Sequence, residues 1–157
     1  MRAGPGSKEG IPAVDISAQR HVLVIEDDPA LRGLYAELLV DESYRVTLWD
    51  NPGMDMAEVW GIAPDVILLD LVFGTSDRGW RFLHTLRAEA RTATLPVVAC
   101  TGASEFVVTH QHTLDELGVR IVAKPFELET LLSALREASG DPAVSLYLPA
   151  STPEIAG

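Results

Sequence analysis

The residues able to do chemistry gather at the ends of apolar runs. His21-Val-Leu-Val-Ile-Glu26-Asp27-Asp28-Pro29 closes one hydrophobic stretch with three carboxylates, and Asp65-Val-Ile-Leu-Leu-Asp70 closes a second with another. A third run ends at Thr101, and a fourth leads to Lys124, followed by Pro125 and Phe126. Carboxylates brought together raise one another's pKa, so such a cluster stays ionised only beside a cation. A hard ion such as Mg²⁺ wants oxygen ligands, keeps some waters, and is suited by one or two carboxylates plus a phosphate oxygen. Glu26, Asp27 and Asp70 are therefore the candidate metal residues. The Thr101 hydroxyl and the Lys124 ammonium can hold phosphoryl oxygens on the other side. Asp70, between metal and lysine, is placed to be a nucleophile that forms an aspartyl phosphate. Metal and Lys124 would offset the charge that develops on the transferring group. Lysine occurs only at positions 8 and 124, which makes the second one informative.

Positioning these groups requires a particular architecture. Runs of four or five Val, Ile and Leu read as strands buried on both faces of a parallel sheet. Their carboxyl ends then share one edge, where open α/β sheets bind ligands. Strands are expected at 21–26, 45–49, 65–70, 96–101 and 119–123, alternating with helices at about 29–40, 53–60, 78–91, 104–117 and 127–138. Asp28-Pro29 supplies an N-cap with proline at the first helical position, and Asn51-Pro52 reads as the same signal for the second helix. Leu31, Leu34, Tyr35, Leu38 and Leu39 in the first helix recur at helical spacing and should face the sheet, as should Leu128, Leu131, Leu132 and Leu135 in the last. Five βα units imply right-handed crossovers and helices on both faces. Residues 1–20 read as a flexible leader, 21–139 as the folded domain, and 140–157 as a tail without helical period.

Composition narrows the function classes. The chain has 157 residues and a formal net charge of −11, which argues against a nucleic-acid surface, since that needs clustered Lys and Arg. It has no apolar stretch of about 18 residues and no signal-peptide pattern in its first 20, so no membrane partner is expected. A single cysteine, Cys100, allows no intrachain disulfide and fits a reducing cytoplasm.

Glu26-Asp27, Asp70 within Val-Ile-Leu-Leu-Asp-Leu, Thr101-Gly102 after Leu95-Pro96-Val-Val, and Lys124-Pro125-Phe126 together resemble the receiver domain of two-component response regulators. The likeness runs from about residue 21 to 138 with its diagnostic positions in order. It implies a flavodoxin-like (βα)₅ fold with strand order 2-1-3-4-5, and phosphorylation of Asp70 by a histidine kinase, a phosphotransfer protein or a small phosphodonor. Carried over by position, Asp27, Asp70 and the backbone carbonyl of Val72 are Mg²⁺ ligands, Glu26 acts through water, and Thr101 and Lys124 bind the phosphoryl group. The Lys124–Pro125 bond is expected to be cis, a state tolerated before proline. Two departures stand out. The loop Leu71-Val-Phe-Gly74-Thr-Ser-Asp77-Arg-Gly79 has glycine where the family carries proline, plus one extra residue, which suggests a more mobile loop. Ile121 stands where the family carries its switch aromatic. Val72 and Ala103 occupy positions that in the family tune dephosphorylation, and neither can orient a water, so slow autodephosphorylation is expected.

The reading that results is a stand-alone, phosphorylation-controlled binding module with no attached effector, acting through protein contacts and not an enzyme in the usual sense. Its output face would be residues 104–138, with homodimerisation as one use. A phosphorelay intermediate is a close variant, and a degenerate receiver that binds without phosphorylation is a third. A Mg²⁺-dependent aspartyl-phosphate phosphatase of the haloacid dehalogenase type is disfavoured by Val72, where a second aspartate would be needed. Blander roles suit the remaining residues: Asp28 as helix cap, Asp65 as a solvated turn residue, Cys100 as buried filler, and Trp49, Trp60 and Trp80 as packing residues, with exposure to a partner as the alternative for Trp80. His110 and His112, two apart, point in different directions on a helix and make a poor metal pair.

Overall fold

The computed structural model describes residues 18–53 and 55–140. The leader and tail therefore lie almost wholly outside the described residues. Strands β1 (His21–Ile25), β2 (Arg45–Trp49), β3 (Val66–Leu69), β4 (Val97–Thr101) and β5 (Val119–Ala123) alternate with helices α1 (Pro29–Asp41), α2 (Met56–Ile62), α3 (Arg78–Ala88), α4 (Ser104–Glu116) and α5 (Leu128–Ser139). The strands form one parallel sheet in the order β2-β1-β3-β4-β5, the flavodoxin-like order the resemblance implied.

Alternate residues of each central strand serve two cores. Leu23, Ile25, Ile67, Leu69, Val97 and Ala99 pack with Val59 of α2, Phe82, Leu83 and Leu86 of α3, and Leu114 of α4. Val22, Val24, Val66, Leu68, Val98 and Cys100 pack with Tyr35 and Leu39 of α1 and Leu131, Leu132 and Leu135 of α5. That two-residue period with apolar side chains on both faces is the signature of an interior parallel strand. Cys100 is buried as expected, its sulfur accepting from the Tyr35 hydroxyl at 3.2 Å.

Several sequence expectations change. Helix α2 starts at Met56 under an Asp55 cap that accepts from the Ala57 amide at 3.0 Å, not after Asn51-Pro52. Asn51 instead spends its side chain on the Gly53 amide, 2.9 Å away, closing a local turn. Helix α3 stops at Ala88, three residues early, because Glu89 turns extended. Leu34 is exposed, as are Leu128 and Trp60. Leu34, Leu38 and Leu128 line a surface groove with Pro125 and Phe126 in place of facing the sheet, whereas Leu31, which also lines it, packs against the core as expected. Asp65 is no free turn residue: its Oδ2 accepts from the His21 amide at 2.7 Å and fastens the start of β1.

The long loop after β3 closes on itself. Phe73 and Ser76 exchange both backbone hydrogen bonds, at 2.8 and 2.9 Å. Gly74 sits between them at φ +61°, a conformation that favours glycine over proline. Phe73, at the base of this tight turn, is buried. Helix α3 then returns so close to the end of β3 that a Cβ on Gly79 would lie 1.9 Å from the Asp70 carbonyl oxygen. Backbone cannot yield as a side chain does, and overpacking costs of order 1–3 kcal/mol. Gly79→Ala is expected to lower the free energy of urea unfolding by about 3 kcal/mol; a loss below about 1 kcal/mol would show that α3 can back away from Asp70 freely.

Candidate functional site

Strand register places the acidic residues side by side. Ile25 pairs with Leu69, so Glu26 and Asp70 are the first residues past the two central strands, and the Asp70 amide donates to the Ile25 carbonyl at 3.2 Å. Thr101 ends β4 opposite Ala123, the last residue of β5, and the Lys124 amide donates to the Thr101 carbonyl at 2.9 Å. The Lys124–Pro125 peptide is cis, as anticipated.

The lysine ammonium crosses the sheet edge to join the two acids. Lys124 Nζ lies 2.8 Å from Glu26 Oε2 and 3.1 Å from Asp70 Oδ2. Glu26 and Asp70 are 3% and 9% exposed, so these are charge-assisted hydrogen bonds in a partly dry setting. Each carboxylate has a further partner: Glu26 Oε1 accepts from the Asp28 amide at 3.1 Å, and Asp70 Oδ1 from the Val72 amide at 3.1 Å. Burial pushes the Glu26 carboxyl above its ordinary pKa, more than the Lys124 hydrogen bond pulls it down. Burial alone would lower the Lys124 ammonium, but its bonds to Glu26 and the charge of Asp70 outweigh that and raise it. Lys124 therefore stays protonated.

Asp27, exposed on the solvent side, completes an acidic group. Glu26, Asp27 and Asp70 each offer an oxygen within 4.8 Å of the others. Three carboxylates faced by one lysine leave an excess of negative charge beside Asp70, and the donors are all oxygens. That set fits a hard divalent cation such as Mg²⁺. Thr101 is buried at the same edge, its hydroxyl accepting from the Ala103 amide at 3.2 Å. Asp28 caps α1, its Oδ1 accepting from the amides of Ala30 and Leu31 at 2.8 and 3.3 Å, the role read from Pro29.

One contact escaped the sequence reading. Arg32 donates from one nitrogen to the carbonyls of Glu26 and Asp27, at 2.8 and 3.3 Å, and holds the backbone that presents both acids. A basic residue one turn into the helix that follows an acidic pair was the available signal. Trp80, read as a packing residue, packs at the α3–α4 junction with Phe106, His84 and His110, within 5.3 Å centroid to centroid in each case.

Comparison with known proteins agrees with this geometry. The response regulator receiver domain family matches residues 22–136, and the chain belongs to that family. It is 29% identical over 119 residues to the regulatory protein VirG of Agrobacterium fabrum, covering 76% of this chain and 46% of VirG. It is 31% identical over 115 residues to the probable transcriptional regulatory protein TcrX of Mycobacterium tuberculosis, covering 73% and 47%. The chain thus spans about half the length of the curated relatives it matches. Among solved structures, the receiver domain of the sensor histidine kinase PA1611 from Pseudomonas aeruginosa, with a magnesium ion coordinated in its active-site cleft, gives a TM-score of 0.66 at 24% identity, covering 78% of this chain and 99% of that one. The chemotaxis protein CheY4 of Vibrio cholerae gives 0.65 at 23%, covering 77% and 99%. These structural likenesses establish the fold.

Removing the ammonium would strand two nearly buried carboxylates. Lys124→Met is expected to cost about 3 kcal/mol at neutral pH, the scale for breaking a buried pair. A carboxyl with a raised pKa in the fold binds its proton more tightly folded than unfolded, so protonation stabilises the fold. The deficit relative to the parent chain should therefore shrink as pH falls from 7 towards 5. Thermal unfolding of both proteins across that range checks it, and a deficit that stays constant or widens would contradict the arrangement.

Proposed function

We propose that Asp70 accepts a phosphoryl group from a partner histidine kinase, a histidine-containing phosphotransfer protein or a small phosphodonor, in a Mg²⁺-dependent reaction. The observation that carries this reading is Lys124 Nζ held between Glu26 Oε2 and Asp70 Oδ2, within hydrogen-bond reach of both. An ammonium there is already in place to meet the oxygens of a group arriving on Asp70, with no reorganisation needed at the moment of transfer.

In the transfer, a carboxylate oxygen of Asp70 forms the new O–P bond while the donor's P–N or P–O bond breaks and its electron pair leaves with the donor. Lys124 offsets charge on the phosphoryl oxygens, and the Thr101 hydroxyl donates to one of them. Asp27, Asp70 and the Val72 carbonyl would hold Mg²⁺. Glu26 would act on it through water, while its own carboxylate fixes Lys124. The ion would supply a positive centre that draws charge from the transferring oxygens.

Release of the group should be slow. Hydrolysis needs a water oriented at phosphorus, and Val72 and Ala103 bring only apolar side chains to the loops beside Asp70. The phosphorylated form would then persist long enough to signal by protein contact. The surface of α4, β5 and α5 suits that role, with Val108 78% exposed on α4. The phosphatase alternative loses support because position 72 offers a backbone amide to Asp70 and no acid–base side chain.

Incubation with acetyl phosphate and Mg²⁺, followed by intact mass, should show a gain of one phosphoryl group. The gain should be absent with a chelator, absent in Asp70→Asn, and persistent for minutes after the phosphodonor is removed. An unmodified chain, or an adduct retained in Asp70→Asn, would reject the assignment of Asp70. Loss within seconds would reject the slow release.

A further inference from the structure

The contact between Trp80 and Phe106 is fastened at both ends to the phosphoacceptor site. On one side, the Trp80 amide donates to the Leu71 carbonyl at 3.1 Å, and the neighbouring Gly79 sits against the Asp70 carbonyl. Trp80 therefore follows the backbone of the residue that carries the phosphoryl group. On the other side, the Thr101 hydroxyl accepts from the amide of Ala103, where α4 starts. The Val107 amide donates to the Ala103 carbonyl at 3.0 Å, so Ala103 is joined rigidly to the first turn of α4, which carries Phe106.

Between these two anchors the rings are stacked tightly. Trp80 meets Phe106 edge-on at 5.3 Å and 82°, and Phe106 lies on His110 at 4.1 Å and 23°. His110 closes the triangle with Trp80 at 4.8 Å, and its Nδ1 is 2.8 Å from the Phe106 carbonyl. His84 abuts the outer side of Trp80 at 4.5 Å. Edge-to-face geometry is directional and weakens when either ring shifts. On β5, Ile121 is half-buried and packs against the same core, with no ring of its own to turn.

We propose that the Trp80–Phe106–His110 stack is the two-state element of this domain: it holds the Thr101 loop in its unphosphorylated position, and it loosens when Thr101 turns to a phosphoryl group on Asp70. The inference rests on the assignment of Asp70 as phosphoacceptor. Trp80 and Phe106 touch no reacting atom; they are positioning residues that act through Leu71 and Thr101. A hydroxyl that moves to donate to a phosphoryl oxygen draws on the Ala103 amide, and with it the start of α4. Phe106 shifts relative to Trp80, which the Leu71 carbonyl holds in place. Coupling of this kind is reciprocal, so weakening the stack must favour the phosphorylated arrangement.

The test uses the full chain with Trp49 and Trp60 replaced by Phe, which leaves Trp80 as the single tryptophan. Its emission is followed during titration with beryllofluoride, a phosphoryl analogue, in the presence of Mg²⁺, and adduct formation from acetyl phosphate is measured separately by intact mass. The expected result is a saturable change in Trp80 emission that disappears in Thr101→Ala even where that variant still forms adduct. Phe106→Ala should bind beryllofluoride about five-fold more tightly or better, the lower end of ordinary coupling energies. Phe106→Tyr, which keeps the ring, should restore the parent affinity. Adduct formation with unchanged Trp80 emission would overturn this inference alone, as would an emission change that survives in Thr101→Ala or a Phe106→Ala affinity equal to the parent's. A chain that forms no adduct and does not respond to beryllofluoride would overturn both this and the assignment of Asp70.

Discussion

One ammonium holds the functional edge of this domain together. Three carboxylates from the ends of two neighbouring strands would repel one another, and two of them are nearly buried. Lys124 reaches across from the fifth strand to bond both buried ones. Its partners lie 98 and 54 residues away in sequence, so it takes the assembled parallel sheet to bring them together. The compensation is incomplete by design of charge: one lysine against three acids leaves room for a divalent cation. The same surplus that destabilises the edge in isolation is the kind of charge a hard divalent cation would offset.

Around that centre, backbone does most of the positioning. Arg32 grips the carbonyls of Glu26 and Asp27, while the amides of Asp28 and Val72 hold the carboxylates of Glu26 and Asp70. Gly79 lets α3 begin against Asp70 itself. These bonds fix the acids chiefly through neighbouring backbone groups. The close approach of Gly79 sets α3 against Asp70, and the Ala103 amide, donating to the Thr101 hydroxyl, sets the start of α4 beside Thr101.

Much of this was legible in the chain. The central strands could be read because interior parallel strands must be apolar on both faces, and their ends because Glu26, Asp70 and Thr101 interrupt the runs. Asp28-Pro29 named the start of α1 for a reason the structure repeats, a carboxylate accepting from the first free amides. Where two signals competed, pattern failed. Asn51-Pro52 was read as the cap of α2, but the folded chain spends Asn51 on Gly53 and caps the helix with Asp55. Helical spacing in α1 marked five apolar residues as inward, yet the helix buries only Tyr35 and Leu39 fully. A helix lying on a sheet covers a narrower stripe than its hydrophobic residues occupy. The loop after Asp70 was expected to be more mobile because glycine replaces proline and one residue is added; its turn, with reciprocal bonds between Phe73 and Ser76 and Gly74 at positive φ, could not be read from the sequence. The ring stack at Trp80 was out of reach, since its members come from two helices and no periodicity links them.

The central claim is that the acids at this edge form a cation site completed by Asp27, and calorimetric titration with MgCl₂ tests it most directly. The account predicts saturable binding of one Mg²⁺ per chain, abolished in Asp27→Ala and retained in Asp50→Ala, a substitution in the loop after β2. Absence of saturable binding, or binding undiminished in Asp27→Ala, would contradict it.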